Sequence, residues 1–267
     1  MQLRRNHIRM GKINHIFISH LHGDHIFGMY GLLSSFNLMG RKNPLALYAP
    51  AGYDRILLSH LADFDIYLSF ELRFIPLSGK DPIKVLDEKH VTVTAFPLNH
   101  RVPTYGFLFR EKPAERKILK EVIARYNIPI NEIRLIKGGS DFKTKSGEVI
   151  PNESLTVPPA IPLSYAYCSD TAWFERLSSF VKGVDLLYHE ATFDSGRKSL
   201  AGETGHSTTD QAATTARDAE AGTLVVGHFS SRYKDLEPLL KEAQEVFPNT
   251  ILAKEGLTID VSNCRKS

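Results

Sequence analysis

Three histidines and an aspartate fall within six residues of one another in the segment SHLHGDH, which places His20, His22, Asp24 and His25 in a single tight stretch. Imidazole nitrogens and carboxylate oxygens are the donors that a hydrolytic metal centre uses, and no structural purpose gathers four of them so closely. A spacing of two sends His20 and His22 to the same side of an extended chain, while a turn at Gly23 redirects Asp24 and His25 to a neighbouring position. Two metal positions fit this pattern better than one. A catalytic ion takes four or five ligands and keeps a place for water, so further donors must come from elsewhere. His100 in AFPLNH, Asp170 in CSDT and His228 in VVGH each stand where an apolar run stops, and they are the candidates.

Short apolar strands alternating with helix-length segments position these residues, which is the pattern of a layered α/β protein. The spacing predicts strands over 13–19, 45–49, 91–96, 105–109, 165–168, 184–189 and 223–228. Helices are expected after the histidine cluster, over 26–40 with Gly40 as the stop, and near 51–61, 115–126, 173–182, 208–221 and 234–246. The stretch 127–162, with prolines at 129, 151, 158, 159 and 162, reads as an irregular excursion from the core. Polar groups at the carboxyl ends of strands are where an α/β sheet presents its functional residues.

The bulk composition agrees with an ordinary globular chain of one domain spanning 1–267, with 42% hydrophobic and 24% charged residues among 267. No apolar run is long enough to cross a membrane, and the basic start MQLRRNHIRMGK has no apolar segment behind it to serve as a signal peptide, so a cytoplasmic protein is expected. Cys168 and Cys264 are too few for a disulfide framework or a thiolate zinc site. The net charge of +3 is small, yet residues 110–145 hold ten Lys or Arg against five Asp or Glu. Arg4, Arg5, Arg9 and Lys12 form a second basic stretch without an acid.

In order along the chain, SHLHGDH, a lone histidine, SDT, YHEATF, GHSTTDQAA and GHFSSRY resemble the motifs of the ribonuclease Z family, tRNA 3′ processing endonucleases of the metallo-β-lactamase superfamily. The resemblance runs from about residue 2 to the end. HxHxDH alone specifies the superfamily; the HEAT and HST motifs narrow it. The implied fold is a four-layer αββα sandwich with two zinc ions at one edge. One ion would be held by His20, His22 and His100 and the other by Asp24, His25 and His228, with Asp170 bridging them. Histidine and carboxylate donors also accept manganese or iron. Precursor tRNA is the implied substrate and a homodimer the implied assembly.

Within that resemblance Asp24 is the expected proton acceptor. His206 in GHST is the candidate proton donor to the 3′ oxygen that leaves, with Glu190 in HEATF holding it charged. His189 reads as structural or as an orienting partner of a metal ligand. Arg232 is placed to clamp the phosphate. The family's basic arm lies between the third metal histidine and the SDT aspartate, here at about 110–160. Its candidates for tRNA phosphates are Lys117, Lys120, Arg125, Arg134, Lys137, Lys143 and Lys145. Where the family's arm often carries Gly-Pro, this chain reads NIPINEIRLIKGG.

Members of the family begin with two or more strands and a glycine-rich loop ahead of the segment that here starts the chain. The sandwich is therefore expected to lack its N-terminal strands and to lose stability at an open sheet edge. Two other functions stay open at this point: a different metallo-β-lactamase-fold phosphodiesterase, and a tRNA-binding member that no longer cleaves.

Overall fold

The computed structural model describes residues 2–265. After a short helix α1 (Gln2–Arg5), the chain runs through β1 (His15–Phe17), α2 (Gly23–Leu38), β2 (Leu45–Pro50), α3 (Tyr53–Asp63) and β3 (Leu72–Leu77). The three strands pair in parallel in that order, so each return crosses the sheet through a helix. Strand β2 alternates: Leu45, Leu47 and Ala49 pack with the helices, whereas Ala46 and Tyr48 join a second cluster. Helix α2 meets the first cluster through Ile26, Met29, Leu33 and Phe36, a spacing of three and four that forms one helical stripe.

The chain continues into β4 (Ile83–Asp87), β5 (Val91–Leu98) and β6 (Thr104–Glu111). Residues 88–92 and 110–163 form a second compact unit. It contains β7 (Lys117–Ile118), α4 (Lys120–Tyr126), α5 (Ile130–Lys137), β8 (Phe142–Lys143), β9 (Val149–Ile150), α6 (Asn152–Leu155) and β10 (Thr156–Val157). The stretch 127–162 is therefore not irregular. Val122, Ile128, Ile136, Phe142, Ile150 and Leu155 build a core of its own. The buried Asn152 amide donates to the carbonyls of Ile136 and Ser140, both at 2.7 Å, and fixes the segment between α5 and β9. Pro129 stands just before α5, where a missing N–H costs nothing, and Gly139 just beyond it adopts φ 105°.

The first unit resumes with β11 (Ser164–Cys168), α7 (Leu177–Phe180), β12 (Leu186–Glu190), α8 (Lys198–Thr204), α9 (Thr209–Asp218), β13 (Thr223–Gly227), α10 (Glu237–Val246) and β14 (Thr250–Leu252). A seven-stranded sheet has the order β14-β13-β12-β11-β6-β5-β4. On one face, Leu187, Leu224 and Val226 pack with Ala212, Ala213 and Ala216 of α9, whose small side chains let helix and sheet approach closely. Thr208 and Gln211 close a capping box at the start of that helix. Phe17, Tyr48, Phe107 and Tyr167 belong to the cluster shared by the two sheets. The result is a four-layer αββα sandwich. The short strands β3, β4 and β14 and helix α8 were not legible as elements, and the segment expected as a helix over 115–126 begins as strand β7. Among the described residues no helix is long and apolar enough to cross a membrane.

Leu187, the second residue of β12, is fully buried. Leu187→Ala is expected to lower the unfolding free energy by about 2–5 kcal/mol through lost burial and a residual cavity. A denaturant titration checks this, and a loss below about 1 kcal/mol would contradict the packing described.

Candidate metal centre

Parallel register determines which residues meet. Cys168 of β11 lies opposite His189 of β12, and Glu190 lies opposite Gly227 of β13. Asp170 and His228 therefore leave the two strands that flank β12 at nearly the same level, with Glu190 of β12 just below. His20 follows β1, and His22 caps α2, whose first turn carries Asp24 and His25. This corrects the expected loop: the helix begins at Gly23 rather than near residue 26, because Gly23, Asp24 and His25 continue directly from the cap. Gly23 has no left-handed backbone, so it makes no sharp turn; a Cβ there would lie 2.5 Å from the Phe27 ring.

The seven ligand candidates converge. His20 Nε2 lies 3.1 Å from His22 Nδ1, which lies 3.4 Å from His100 Nε2. On the other side His25 Nε2 is 3.6 Å from Asp24 Oδ2, and Asp170 Oδ1 is 3.7 Å from His25 Nε2 and 3.5 Å from His228 Nε2. Asp170 Oδ2 faces His20 Nε2 at 3.8 Å. One buried carboxylate thus turns one oxygen to each set.

The donor set fits metal. His100 Nδ1 donates to the Gly205 carbonyl at 2.7 Å, so its Nε2 carries the lone pair. Gly205 is required there, with φ 78° and an added Cβ only 2.8 Å from His100 Nδ1. Three ring nitrogens this close cannot all be satisfied by shared protons, and a cation among them removes the repulsion. Bonds of 2.0–2.1 Å in a tetrahedron put nitrogens about 3.3 Å apart, close to the spacings found.

Electrostatics prepare the same state. Burial, helped by neighbouring His25, pushes His20 down to about 4 against the opposing pull of Asp170. Burial also depresses His100. Burial alone would raise Asp170, but His228, His25, His20 and His206 around it hold the carboxyl below its ordinary value. Neutral imidazoles beside an ionised carboxylate are what a divalent cation requires.

Glu190 is fully buried yet accepts five hydrogen bonds. Oε1 accepts from Thr171 N at 3.0 Å, His206 Nδ1 at 2.9 Å and Ser207 N at 3.1 Å. Oε2 accepts from Thr192 N at 2.9 Å and Thr192 Oγ1 at 2.8 Å. Burial opposes charge on His206, but the Glu190 bond and charge, with Asp170, outweigh it and raise the imidazole above its ordinary value. The His206 ring lies 5.2 Å from that of His100 and 5.4 Å from that of His228. His189 is fully buried, its Nδ1 donating to the Glu190 carbonyl at 2.6 Å. Arg232 is exposed, its Nε on Ser230 Oγ at 3.0 Å and its guanidinium 5.1 Å from the Phe193 ring centre.

Reading by residue type missed Thr171, Thr192 and Ser207, whose hydroxyls and backbone donors tie Glu190 in place. Their places inside YHEATF, SDT and GHST tie them to the motifs but do not show which hydroxyl or N–H reaches Glu190. Within the second unit, Lys117, Lys120 and Lys137 line one cleft beside Ile118 and Ile123. Arg125, Lys143 and Lys145 line another beside Tyr126, and Arg134 is exposed on α5 outside both.

Residues 1–121 match the family described as "Beta-lactamase superfamily domain". A protein of Bacteroides thetaiotaomicron named Ribonuclease Z is 45% identical over 263 residues, which cover 98% of this chain and 83% of that protein. Another of the same name from Phocaeicola vulgatus is 43% identical, covering 99% of this chain and 86% of its own. The chain belongs to the ribonuclease Z family. As a ribonuclease Z it is an endoribonuclease of the metallo-β-lactamase superfamily, and the fold with its His/Asp cluster supports a metal cofactor. The crystal structure of human tRNase Z, short form, superposes with a TM-score of 0.66 at 25% identity, covering 97% of this chain and 83% of that one.

Glu190→Gln preserves shape but turns an amide NH2 towards backbone donors, with an expected loss of about 3 kcal/mol. Because His206 is raised in the folded state, the part due to this pair is full below about pH 6.5 and fades as pH rises through the raised value. Stability of the metal-free protein and the variant, measured from pH 5 to 9, checks this; a difference that grows with pH would contradict it.

Proposed function

We propose that the chain removes the 3′ trailer from precursor tRNA with two zinc ions, leaving a 3′-hydroxyl on the tRNA and a 5′-phosphate on the trailer. The observation that carries this reading is the Asp170 carboxylate turned to two histidine sets beside the Glu190–His206 pair, in a chain of the ribonuclease Z family. His20, His22 and His100 would hold one ion and Asp24, His25 and His228 the other, with Asp170 offering an oxygen to each set. When bound, the ions supply an acidified water and counter-charge for the phosphodiester oxygens. Manganese suits the same donors.

Asp24, three-quarters exposed at the helix start, would be the proton acceptor of the hydrolysis. His206, biased towards its protonated form by Glu190, would give a proton through Nε2 to the 3′ oxygen that leaves, since Nδ1 is committed to the carboxylate. Arg232 clamps a phosphate. Lys117, Lys120, Arg125, Arg134, Lys137, Lys143 and Lys145 contact tRNA phosphates without reading sequence. The enzyme works in the cytoplasm. It works as a homodimer, for which exposed Phe27, Leu58, Phe64 and Tyr67 offer apolar surface in and beside α2 and α3. A monomer by sedimentation at micromolar concentration would contradict the dimer.

End-labelled precursor tRNA tests the activity. Chelation and Asp24→Ala are each expected to abolish trailer release, and His206→Ala to lower kcat by about 10²–10⁴-fold with little change in KM. Cleavage untouched by chelator and by Asp24→Ala would overturn the proposal.

A further inference from the structure

Thr192 has one hydroxyl and four polar neighbours. Oγ1 lies 2.8 Å from Glu190 Oε2, 2.9 Å from His228 Nδ1, 3.1 Å from the His228 carbonyl oxygen and 3.3 Å from His206 Nδ1. A hydroxyl has a single proton to give. An ionised carboxylate at the shortest of these distances is a stronger acceptor than a carbonyl at 3.1 Å, so the proton goes to Glu190. His206 Nδ1 already donates to the other oxygen of that carboxylate. The lone pairs of Oγ1 then face His228 Nδ1, which must carry its proton there. His228 Nε2 is left bare, pointing towards Asp170 Oδ1.

Two further features make this arrangement rigid. Thr192 N also donates to Glu190 Oε2, so the hydroxyl is carried on a backbone fixed to the same carboxylate. His228 adopts φ 62°, a left-handed conformation rare for a residue with a side chain. That backbone is held from β12 by Ala191 N on the Gly227 carbonyl at 2.8 Å, and by Ser230 N on the Thr192 carbonyl at 3.1 Å.

We propose that Thr192 is a positioning residue for the metal at His228: its hydroxyl, anchored on Glu190, selects the His228 tautomer and orientation that present Nε2 to the ion. This rests on reading His228 as a ligand. Glu190 consequently serves both halves of the site, His206 through Oε1 and His228 through Oε2 and Thr192.

The test uses metal affinity rather than cleavage. Metal-free wild type, Thr192→Val and Thr192→Ser are each titrated with zinc against a competing chelator, without RNA. Wild type is expected to take two ions. Thr192→Val, which keeps the shape and removes the hydroxyl, is expected to keep one affinity and weaken the other by about 10–100-fold, as loss of a ligand's orienting partner does. Selective loss of one ion also separates this effect from misfolding, which would take both. Thr192→Ser should restore the second ion. The inference is overturned if Thr192→Val binds both ions as tightly as wild type, loses both alike, or is matched by Thr192→Ser. A wild type that takes fewer than two ions overturns the two-metal reading and this inference with it. Two ions bound equally by all three proteins overturns only the role of Thr192.

Discussion

The site depends on satisfying one carboxylate that has no exposed surface. Glu190 sits at the end of β12 with no exposed surface, and a buried charge without partners would cost several kcal/mol. Five donors from three segments offset that cost: Thr171 beyond β11, Thr192 beyond β12, and His206 with Ser207 before α9. Because all must reach the same two oxygens, the loops that carry Asp170, His206 and Thr192 have little freedom. Strand register supplies the remaining constraint by bringing Asp170 and His228 out at one level.

Above this support the chemistry follows from desolvation. His20 is buried and His100 half-buried, and burial pushes both towards the neutral form, while the carboxyl of Asp170 is held below its ordinary value among them. Lone pairs therefore point into a small space beside a negative charge, and a divalent cation satisfies both. His206 differs from His20 and His100: the Glu190 bond and charge raise it above its ordinary value, whereas burial lowers those two. Donors for metal and a charged imidazole stand side by side because their local partners differ, His100 bonding to the Gly205 carbonyl and His206 to a carboxylate.

Much of this could be read from residue types. HxHxDH has no structural use, and His100, Asp170 and His228 each follow an apolar run, so the donors stood out before their geometry was known. The start of α2 did not, because a histidine cap lacks the usual Ser, Thr, Asp or Asn signal and the ligand residues obscured the first turn. The core of the second unit escaped because its apolar residues, such as Ile128, Phe142 and Ile150, are spread among polar residues and prolines in loops and in elements too short for periodicity. Thr192 escaped for a different reason. Nothing about a threonine in a strand-end sequence distinguishes a hydroxyl that links two functional residues from one that faces solvent; only the distances do.

The central claim is that Asp170 stands between two metal positions. Anomalous diffraction from crystals grown with zinc tests it most directly. The account predicts two peaks per chain, one among His20, His22 and His100 and one among Asp24, His25 and His228, each against a different oxygen of Asp170. A single peak, or a second one away from Asp170, would contradict it.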